Sequence, residues 1–267
     1  MKDKNLNKNW VSGKLLIMIF SAGILAEVLA VLFNSVYILS IVLSILGGLI
    51  FIIFLYMLYA HYKLSASGGN LQTCISEMLI DRIPEQSKGR LIDIGCGSGV
   101  LSVEIALKHP ALQLDAVDYW GGTWGYSKVA CEQLAKDNQV NERITFTKAS
   151  ASTLPFGDET FDIVISNMVF HEVADTKDKR DVIKEALRIL KKGGIFIFQD
   201  QFKDKRIYGK TDELLAYIQT IGVKDLLFEE TGKADFIPPL LNNTMFFGSS
   251  ALIQGVKMSE SVSKVVK

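Results

Sequence analysis

The first sixty residues hold two long apolar stretches separated by a short polar break. Residues 15–33 contain one charge, Glu27, and residues 36–60 contain none. A helix needs about 20 apolar residues to cross a bilayer core, so each stretch is long enough. Only Asn34 and Ser35 lie between them, which predicts an antiparallel transmembrane hairpin. No second intramembrane charge can pair with Glu27, so it is interpreted as facing the partner helix, protonated, or reaching toward the turn.

The flanking charges predict the orientation of this hairpin. Basic residues lie at both outer ends and are missing from the turn; they are Lys2, Lys4, Lys8, Lys14, His61 and Lys63. By the positive-inside rule both ends face the cytoplasm. A cleaved signal peptide would have a shorter apolar region, ending at a small-residue site. Here the first stretch is longer and a second follows at once, so residues 1–63 are predicted to be a membrane anchor.

From residue 64 onward the chain alternates short strand patterns with helical patterns. Strand-like segments are 90–94, 112–117, 144–148, 161–166, 195–198, 223–228 and part of 246–256. Helical spacing marks 71–83, 100–108, 127–137, 179–191 and 212–221. Gly193 and Gly194 are expected to stop the fourth of these helices. Such alternation predicts one α/β domain, residues 64–267, with a Rossmann-like, doubly wound, mainly parallel seven-stranded sheet.

The most informative segment lies where the first strand of this domain meets its helix. It reads Leu91-Ile92-Asp93-Ile94-Gly95-Cys96-Gly97-Ser98-Gly99. Doubly wound sheets bind ligands at the carboxyl ends of their strands, and glycines let the backbone approach a ligand closely. A dinucleotide fingerprint would need glycine where Val100 stands, and the Lys-Ser/Thr pair of a P-loop is missing. Asp93 is a poor neighbour for a pyrophosphate but suits a ligand with a cationic end.

A second acid completes the pattern. Asp118 ends the second predicted strand, where a carboxylate can accept hydrogen bonds from both hydroxyls of a ribose. The segment therefore offers a glycine loop, an acid for a cation and an acid for a ribose. S-adenosylmethionine, with its amino acid, sulfonium and adenosine, matches all three.

With these motifs the chain resembles the class I S-adenosylmethionine-dependent methyltransferases over about residues 71–257. Five motifs follow the family's order: 91–99, 115–118, 150–156, 161–167 and 187–194. The resemblance implies a set of cofactor-binding residues: Asp93, Gly95, Cys96, Gly97, Gly99, Asp118, Tyr119, Ser150, Ala151, Ser166 and Asn167. Many relatives have an acid where Ser150 stands, which holds the adenine amino group. Serine can still accept a hydrogen bond there.

The chemistry itself requires an in-line nucleophile, and a general base only where the acceptor must lose a proton. His171, and more weakly Glu172, follow the fourth strand on the side where this fold places its acceptor. His171 is the candidate base or a histidine that shapes the pocket. Asp200, after the fifth strand, either faces the acceptor pocket or is a solvated loop acid, and the second interpretation is preferred. The aromatic segment 118–126 either covers a ligand, meets the membrane or packs locally.

Composition narrows the acceptor. Lys+Arg and Asp+Glu are both 29, so no nucleic-acid surface is expected. Three widely spaced cysteines predict no metal site. Ser166-Asn167-Met168-Val169 differs from the Asn-Pro-Pro-Tyr motif of amino methylation. Tethering predicts a small, lipophilic acceptor at the cytoplasmic membrane face, such as a quinone, lipid head group or hydrophobic metabolite. Alternatives are a non-catalytic S-adenosylmethionine-binding membrane regulator and a nicotinamide-dependent oxidoreductase.

Overall fold

The computed structural model describes residues 9–121 and 125–258, in two compact units bounded as Met1–Cys74 and Ile75–Lys267. Lys2, Lys4 and Lys8 of the predicted flank and residues 122–124 of the aromatic segment lie outside the described residues. The helices are α1 (Gly13–Leu32), α2 (Tyr37–Leu64), α3 (Leu71–Ile80), α4 (Val100–Lys108), α5 (Lys128–Asp137), α6 (Lys179–Arg188), α7 (Lys205–Tyr208) and α8 (Thr211–Thr220). The strands are β1 (Gly89–Ile94), β2 (Leu112–Asp118), β3 (Ile144–Lys148), β4 (Phe161–Asn167), β5 (Leu190–Asp200), β6 (Val223–Glu229) and β7 (Ala251–Lys257).

The first unit contains the helical hairpin of α1 and α2. Both helices are long and apolar enough to cross a membrane, by length and composition. Small residues allow them to approach closely. Gly47 of α2 lies directly against the Glu27 carboxylate, where a Cβ would overlap it. The Ser40 hydroxyl donates to the carbonyl of Ala30 at 2.9 Å, which ties the start of α2 to the end of α1.

The second unit is built on the seven-stranded sheet, in the order β3-β2-β1-β4-β5-β7-β6. Strands β1 to β5 pair in parallel, whereas β7 is antiparallel to both β5 and β6. Leu91, Ile92 and Ile94 of β1 are fully buried, as expected for a central parallel strand covered on both faces. The predicted doubly wound, mainly parallel sheet is therefore confirmed.

The boundary between α6 and β5 differs from the prediction. The helix expected over 179–191 ends at Arg188, and Gly193 and Gly194 lie inside β5 instead of stopping a helix. The ammonium of Lys257, on β7, donates to the carbonyls of Leu187 and Arg188 at 2.9 and 3.3 Å. These contacts help satisfy the last carbonyls of the helix. They come from a strand about seventy residues later in the chain, which no local pattern reveals.

The sheet topology gathers several connections at one edge. Asp200, the last residue of β5, pairs with Ala251, the first of β7, and Glu229 of β6 pairs with Leu252. The β6–β7 connection, residues 230–250, therefore lies at the carboxyl ends of the parallel strands. The glycine loop after β1 and the segments after β2, β3 and β4 lie at this same edge, which is where ligands of such sheets bind.

Candidate functional site

The loop between β1 and α4 depends on its glycines. Gly95, Gly97 and Gly99 have φ angles of +77°, +53° and +78°, a region that disfavours side chains. A Cβ on Gly95 would overlap the methyl groups of Val169. The Val117 carbonyl accepts from the amides of Gly95 and Cys96 at 2.7 and 3.0 Å. The loop is thus held against the end of β2 in a form that only glycine adopts easily.

Asp118 joins this loop to the segment that follows β2. Its Oδ2 accepts from the Gly97 amide at 2.8 Å, and its Oδ1 accepts from the Trp120 amide at 2.7 Å. A carboxylate has about four acceptor positions, so capacity for a ligand's hydroxyls remains. The structure thus brings the glycine loop into contact with Asp118, which lies about twenty positions later in the sequence.

The side chain of Asp93, near the carboxyl end of β1, is buried. Its carboxyl is 1% exposed and accepts from the Ser102 hydroxyl of α4 at 2.6 Å. Burial raises the pKa of Asp93 to about 7, although the Ser102 hydrogen bond opposes this rise. In this arrangement Asp93 fastens β1 to α4, and its contact with a cationic ligand stays a prediction.

The described part of the aromatic segment covers the glycine loop. The Trp120 indole donates to the Gly97 carbonyl at 3.0 Å, and the Tyr126 ring lies beside the position where a Gly97 Cβ would stand. Tyr119 is largely exposed, with the Lys148 ammonium 5.2 Å from its ring centroid.

The exit of β3 carries hydroxyl groups joined to an acid from another loop. The Ser150 hydroxyl donates to Asp175 at 2.6 Å and lies 2.9 Å from the Ser152 hydroxyl. Ala151 is buried beside them. Asp175 has no sequence motif of its own, and no local pattern singles it out.

The ends of β4 and β5 carry polar side chains in buried positions. Ser166 donates to the Ile94 carbonyl at 2.9 Å, which ties β4 to β1. Asn167 and Gln199 are register partners in β4 and β5. Their side-chain oxygens are buried without a hydrogen-bond partner among the described residues. Buried acceptors without partners are costly, and a donor or cationic group of a ligand would satisfy them.

His171 is oriented by a buried acid. It lies in a single 3-10 turn, Phe170–Glu172, and its Nδ1 is 2.7 Å from Asp200 Oδ1. Asp200 also accepts from the amides of His171 and Gln201 at 3.3 and 2.6 Å. With Asp200 as the acceptor of this hydrogen bond, Nδ1 is the donor, and the neutral ring then has its lone pair on Nε2. Glu172 Oε1 lies 3.8 Å from Nε2.

The interpretation of Asp200 as a solvated loop acid is wrong. Asp200 is the last residue of β5 instead of part of the loop, and its side chain is 1% exposed. Burial alone would lower the pKa of His171, but the hydrogen bond and the charge of Asp200, with Glu172, outweigh it and raise the pKa. Burial, with the charge of Asp200, also raises the pKa of the nearby Tyr208 phenol.

These residues fit the cofactor that the sequence pattern suggests. The glycine loop leaves room for a close backbone approach, and Asp118 stands at the strand end suited to a ribose. The unpartnered Asn167 oxygen supplies an acceptor suited to a cationic ligand. The candidate base, His171, follows β4 at the same edge of the sheet.

Fold and site together define a class, and comparison with known proteins agrees with it. The strand order, glycine loop and acid after β2 are those of a doubly wound nucleoside-binding domain. The family described as "Methyltransferase domain" matches residues 92–198. Within that range the chain therefore carries a methyltransferase domain of the S-adenosylmethionine-dependent kind, as the resemblance implied.

Individual relatives are distant. "Ribosomal RNA small subunit methyltransferase C" of Shewanella amazonensis is 27% identical over 150 residues, covering 51% of this chain and 41% of the relative. The protein of that name from Escherichia coli O7:K1 is 28% identical over 121 residues, covering 45% and 33%. The chain thus spans less than half the length of these curated relatives.

Solved structures share the fold at low identity. Geranyl diphosphate C-methyltransferase from Streptomyces coelicolor A3(2) has a TM-score of 0.57 at 15% identity, covering 74% of this chain and 84% of that one. The [4+2]-cyclase SpnF has a TM-score of 0.54 at 17% identity, covering 72% and 84%. These likenesses show the fold alone, and a fold does not fix the chemistry.

Proposed function

We propose that this protein transfers a methyl group from S-adenosylmethionine to a small, lipophilic acceptor at the cytoplasmic face of a membrane. The observation that carries the proposal is the arrangement at one edge of the sheet. A glycine loop held by Asp118 and an imidazole held by Asp200 lie at the carboxyl ends of neighbouring parallel strands. The glycine loop with Asp118 suits a nucleoside cofactor, and the imidazole of His171 suits the removal of a proton from the acceptor.

The cofactor-side residues act by binding and orientation. S-adenosylmethionine, when bound, supplies an electrophilic methyl group on a sulfonium. Asp118 would accept hydrogen bonds from the ribose hydroxyls, Gly95 and Gly97 would hold the methionine part, and Asn167 would offer its unpartnered oxygen. Such positioning can account for much of the rate enhancement of a bimolecular transfer.

His171 acts on the acceptor. Its Nε2 lone pair takes a proton from an acceptor hydroxyl or amine as the new bond to carbon forms. Asp200 holds the Nδ1 tautomer and stabilises the imidazolium that results, as in other acid-oriented histidines. Asp200 is a positioning residue, because it acts through His171.

The acceptor's lipophilic character is supported by two features. Leu240 and Met245, in the β6–β7 connection, are 63% and 65% exposed at the same edge of the sheet as the candidate site. In this proposal these two side chains are available to contact an apolar acceptor or a lipid surface. The two apolar helices of the first unit would also hold the domain near lipid, raising the local concentration of lipid-embedded acceptors.

The test compares the full chain with a variant lacking residues 1–63. Both are given vesicles of total membrane lipid and S-adenosylmethionine labelled on its methyl group. The label should enter the organic extract with the full chain and fall at least about tenfold without the anchor. Both proteins should bind S-adenosylhomocysteine equally.

Other outcomes separate the alternatives. Equal activity of the two proteins on vesicles contradicts the membrane-face proposal. Label recovered in added ribosomal RNA would assign the acceptor class of the curated relatives instead. Binding of S-adenosylhomocysteine with no transfer to any fraction would favour the non-catalytic regulator. Mass spectrometry of the labelled product, searched for a gain of one methyl group, then identifies the acceptor.

A further inference from the structure

The exit of β3 is an acceptor-rich cluster assembled from two loops. Ser150 donates to Asp175 Oδ2 at 2.6 Å, and the Ser152 hydroxyl is 2.9 Å from that of Ser150. Asp175 belongs to the connection between β4 and α6 and is exposed to solvent. Hydrogen bonds from Ser150 and Ser152 lower the pKa of Asp175, so this carboxyl is ionised at neutral pH.

This cluster lies next to the residue proposed to hold the ribose. The Ala149 amide, one position before Ser150, donates to the backbone carbonyl of Asp118 at 3.0 Å. A nucleoside whose ribose is bound by the acid after β2 extends its base beyond that strand. The next strand outward is β3, so the base reaches the side where Ser150 and Asp175 meet.

The chemistry of the cluster selects one kind of purine edge. The Ser150 proton is already donated to Asp175, and the Ser150 oxygen accepts from the Ser152 amide at 3.3 Å, so the acceptor capacity toward a ligand lies mainly on the Asp175 carboxylate. An ionised carboxylate has about four acceptor positions and no donor, and only part of that capacity is used by the two serines. An exocyclic amino group, as in adenine, donates to such a cluster. A carbonyl at the same position, as in hypoxanthine, meets only acceptors.

We propose that Asp175, held by Ser150 and Ser152, is the residue that selects the adenine amino group of the cofactor. The acid comes from the loop after β4 instead of from position 150 itself. The inference rests on the proposed function, because it requires the nucleoside to lie on Asp118.

Calorimetry on the full chain in detergent micelles tests it with two ligands, S-adenosylhomocysteine and S-inosylhomocysteine. The wild type should prefer the adenine compound by about tenfold to a hundredfold, the range for a hydrogen bond to a charged group. Asp175→Asn should reduce this preference to within about threefold, because an amide both donates and accepts.

Two further variants distinguish selection from simple loop stability. Asp178→Asn is the matched control: Asp178 lies three positions away and caps α6, a role that asparagine also fills, so the preference should stay at the wild-type value. The exchange Ser150→Asp with Asp175→Ser returns an acid to the cluster and should restore at least part of the preference lost in the single variant Asp175→Ser.

The outcomes are decisive in either direction. If Asp175→Asn keeps the wild-type preference, or weakens both ligands equally, Asp175 is a structural residue and the inference is overturned. If the wild type binds neither compound at millimolar concentration, the proposed function fails and this inference fails with it. A wild type that binds both, with Asp175→Asn losing only the preference, supports both.

Discussion

At the residue scale, the protonation state of His171 depends on Asp200. The hydrogen bond and the charge of Asp200 raise the pKa of His171 above its ordinary value, against the opposing effect of burial. A general base must be unprotonated, so kcat/KM should fall as pH decreases through this pKa, at a pH above about 6.5. Asp200→Asn leaves burial to dominate and should move the fall to lower pH while decreasing kcat.

The same profile decides whether His171 is a base at all. His171→Gln should lose at least about a hundredfold in kcat and lose this limb of the profile, with S-adenosylhomocysteine affinity unchanged. Glu172→Gln is the control, because it removes a smaller contribution to the pKa of His171 and should move the midpoint only slightly. Full turnover by His171→Gln with normal cofactor affinity would show that the histidine only shapes the pocket.

Gly95 and Gly193 have nearly the same φ angle but different surroundings, so their alanine variants distinguish backbone strain from steric crowding. Gly95 and Gly193 have φ angles of +77° and +79°. A Cβ on Gly95 would overlap Val169, whereas one on Gly193 would meet nothing within 4 Å. Gly193→Ala should cost about 1–2 kcal/mol of unfolding free energy from strain alone. Gly95→Ala should cost about 1–3 kcal/mol more, from overpacking, and should weaken S-adenosylhomocysteine binding.

Urea unfolding and calorimetry on both variants check this prediction. The double variant Gly95→Ala with Val169→Ala removes the overlap and should recover part of the extra loss, giving a measurable coupling energy. Equal losses in Gly95→Ala and Gly193→Ala, with cofactor affinity intact in both, would mean that Val169 does not restrict the glycine loop.

At the element scale, local sequence patterns predict most strands and helices of the second unit, because the pattern that marks each one lies within a short stretch of the chain. Parallel strands buried on both faces read as apolar runs, and glycines mark the loop after β1. Local patterns do not predict features that depend on residues far away in the chain. Lys257 of β7 contacts the last turn of α6, Asp200 meets His171 from the preceding connection, and Asp175 meets Ser150 only through the fold. Candidate residues on motifs could be named from the sequence, but their partners could not.

The hairpin offers a prediction of its own at this scale. Gly47 and Gly48 are neighbours in α2, but only Gly47 lies against the other helix, where a Cβ would overlap Glu27. Replacing either glycine by leucine improves helix propensity by a similar amount. Gly47→Leu should nevertheless separate α1 from α2 at a cost of about 1–3 kcal/mol, whereas Gly48→Leu should be neutral or stabilising.

Unfolding in mixed micelles with increasing sodium dodecyl sulfate, followed by circular dichroism, measures the difference between these variants. Gly47→Leu should have the lower midpoint. If Gly47→Leu and Gly48→Leu unfold together with the wild type, the contact between Glu27 and Gly47 contributes nothing to the hairpin, and the approach of the helices depends on other residues.

At the scale of the whole molecule, the question is which side of a membrane the enzyme unit occupies. Helix α1 has 20 residues and α2 has 28, so at 1.5 Å per residue each is long enough for a hydrocarbon core of about 30 Å. The excess length of α2 is accommodated by tilt or by its last turn, which contains His61 and Lys63. We propose that both helices span a membrane, in which case two spans return the chain to its starting side, and the basic flanks predict that this side is the cytoplasm.

Cysteine labelling of intact cells checks this topology. Asn34→Cys places a thiol in the turn between the helices, and Ser67→Cys places one in the segment between α2 and α3. A membrane-impermeant maleimide should label position 34 in intact cells and position 67 only after permeabilisation. The native chain, whose Cys96 and Cys131 are buried and whose Cys74 is half-buried, is the blank. Labelling of position 67 from outside would place the methyltransferase domain away from the cytoplasmic supply of S-adenosylmethionine, and a cytoplasmic methyl transfer would then be impossible.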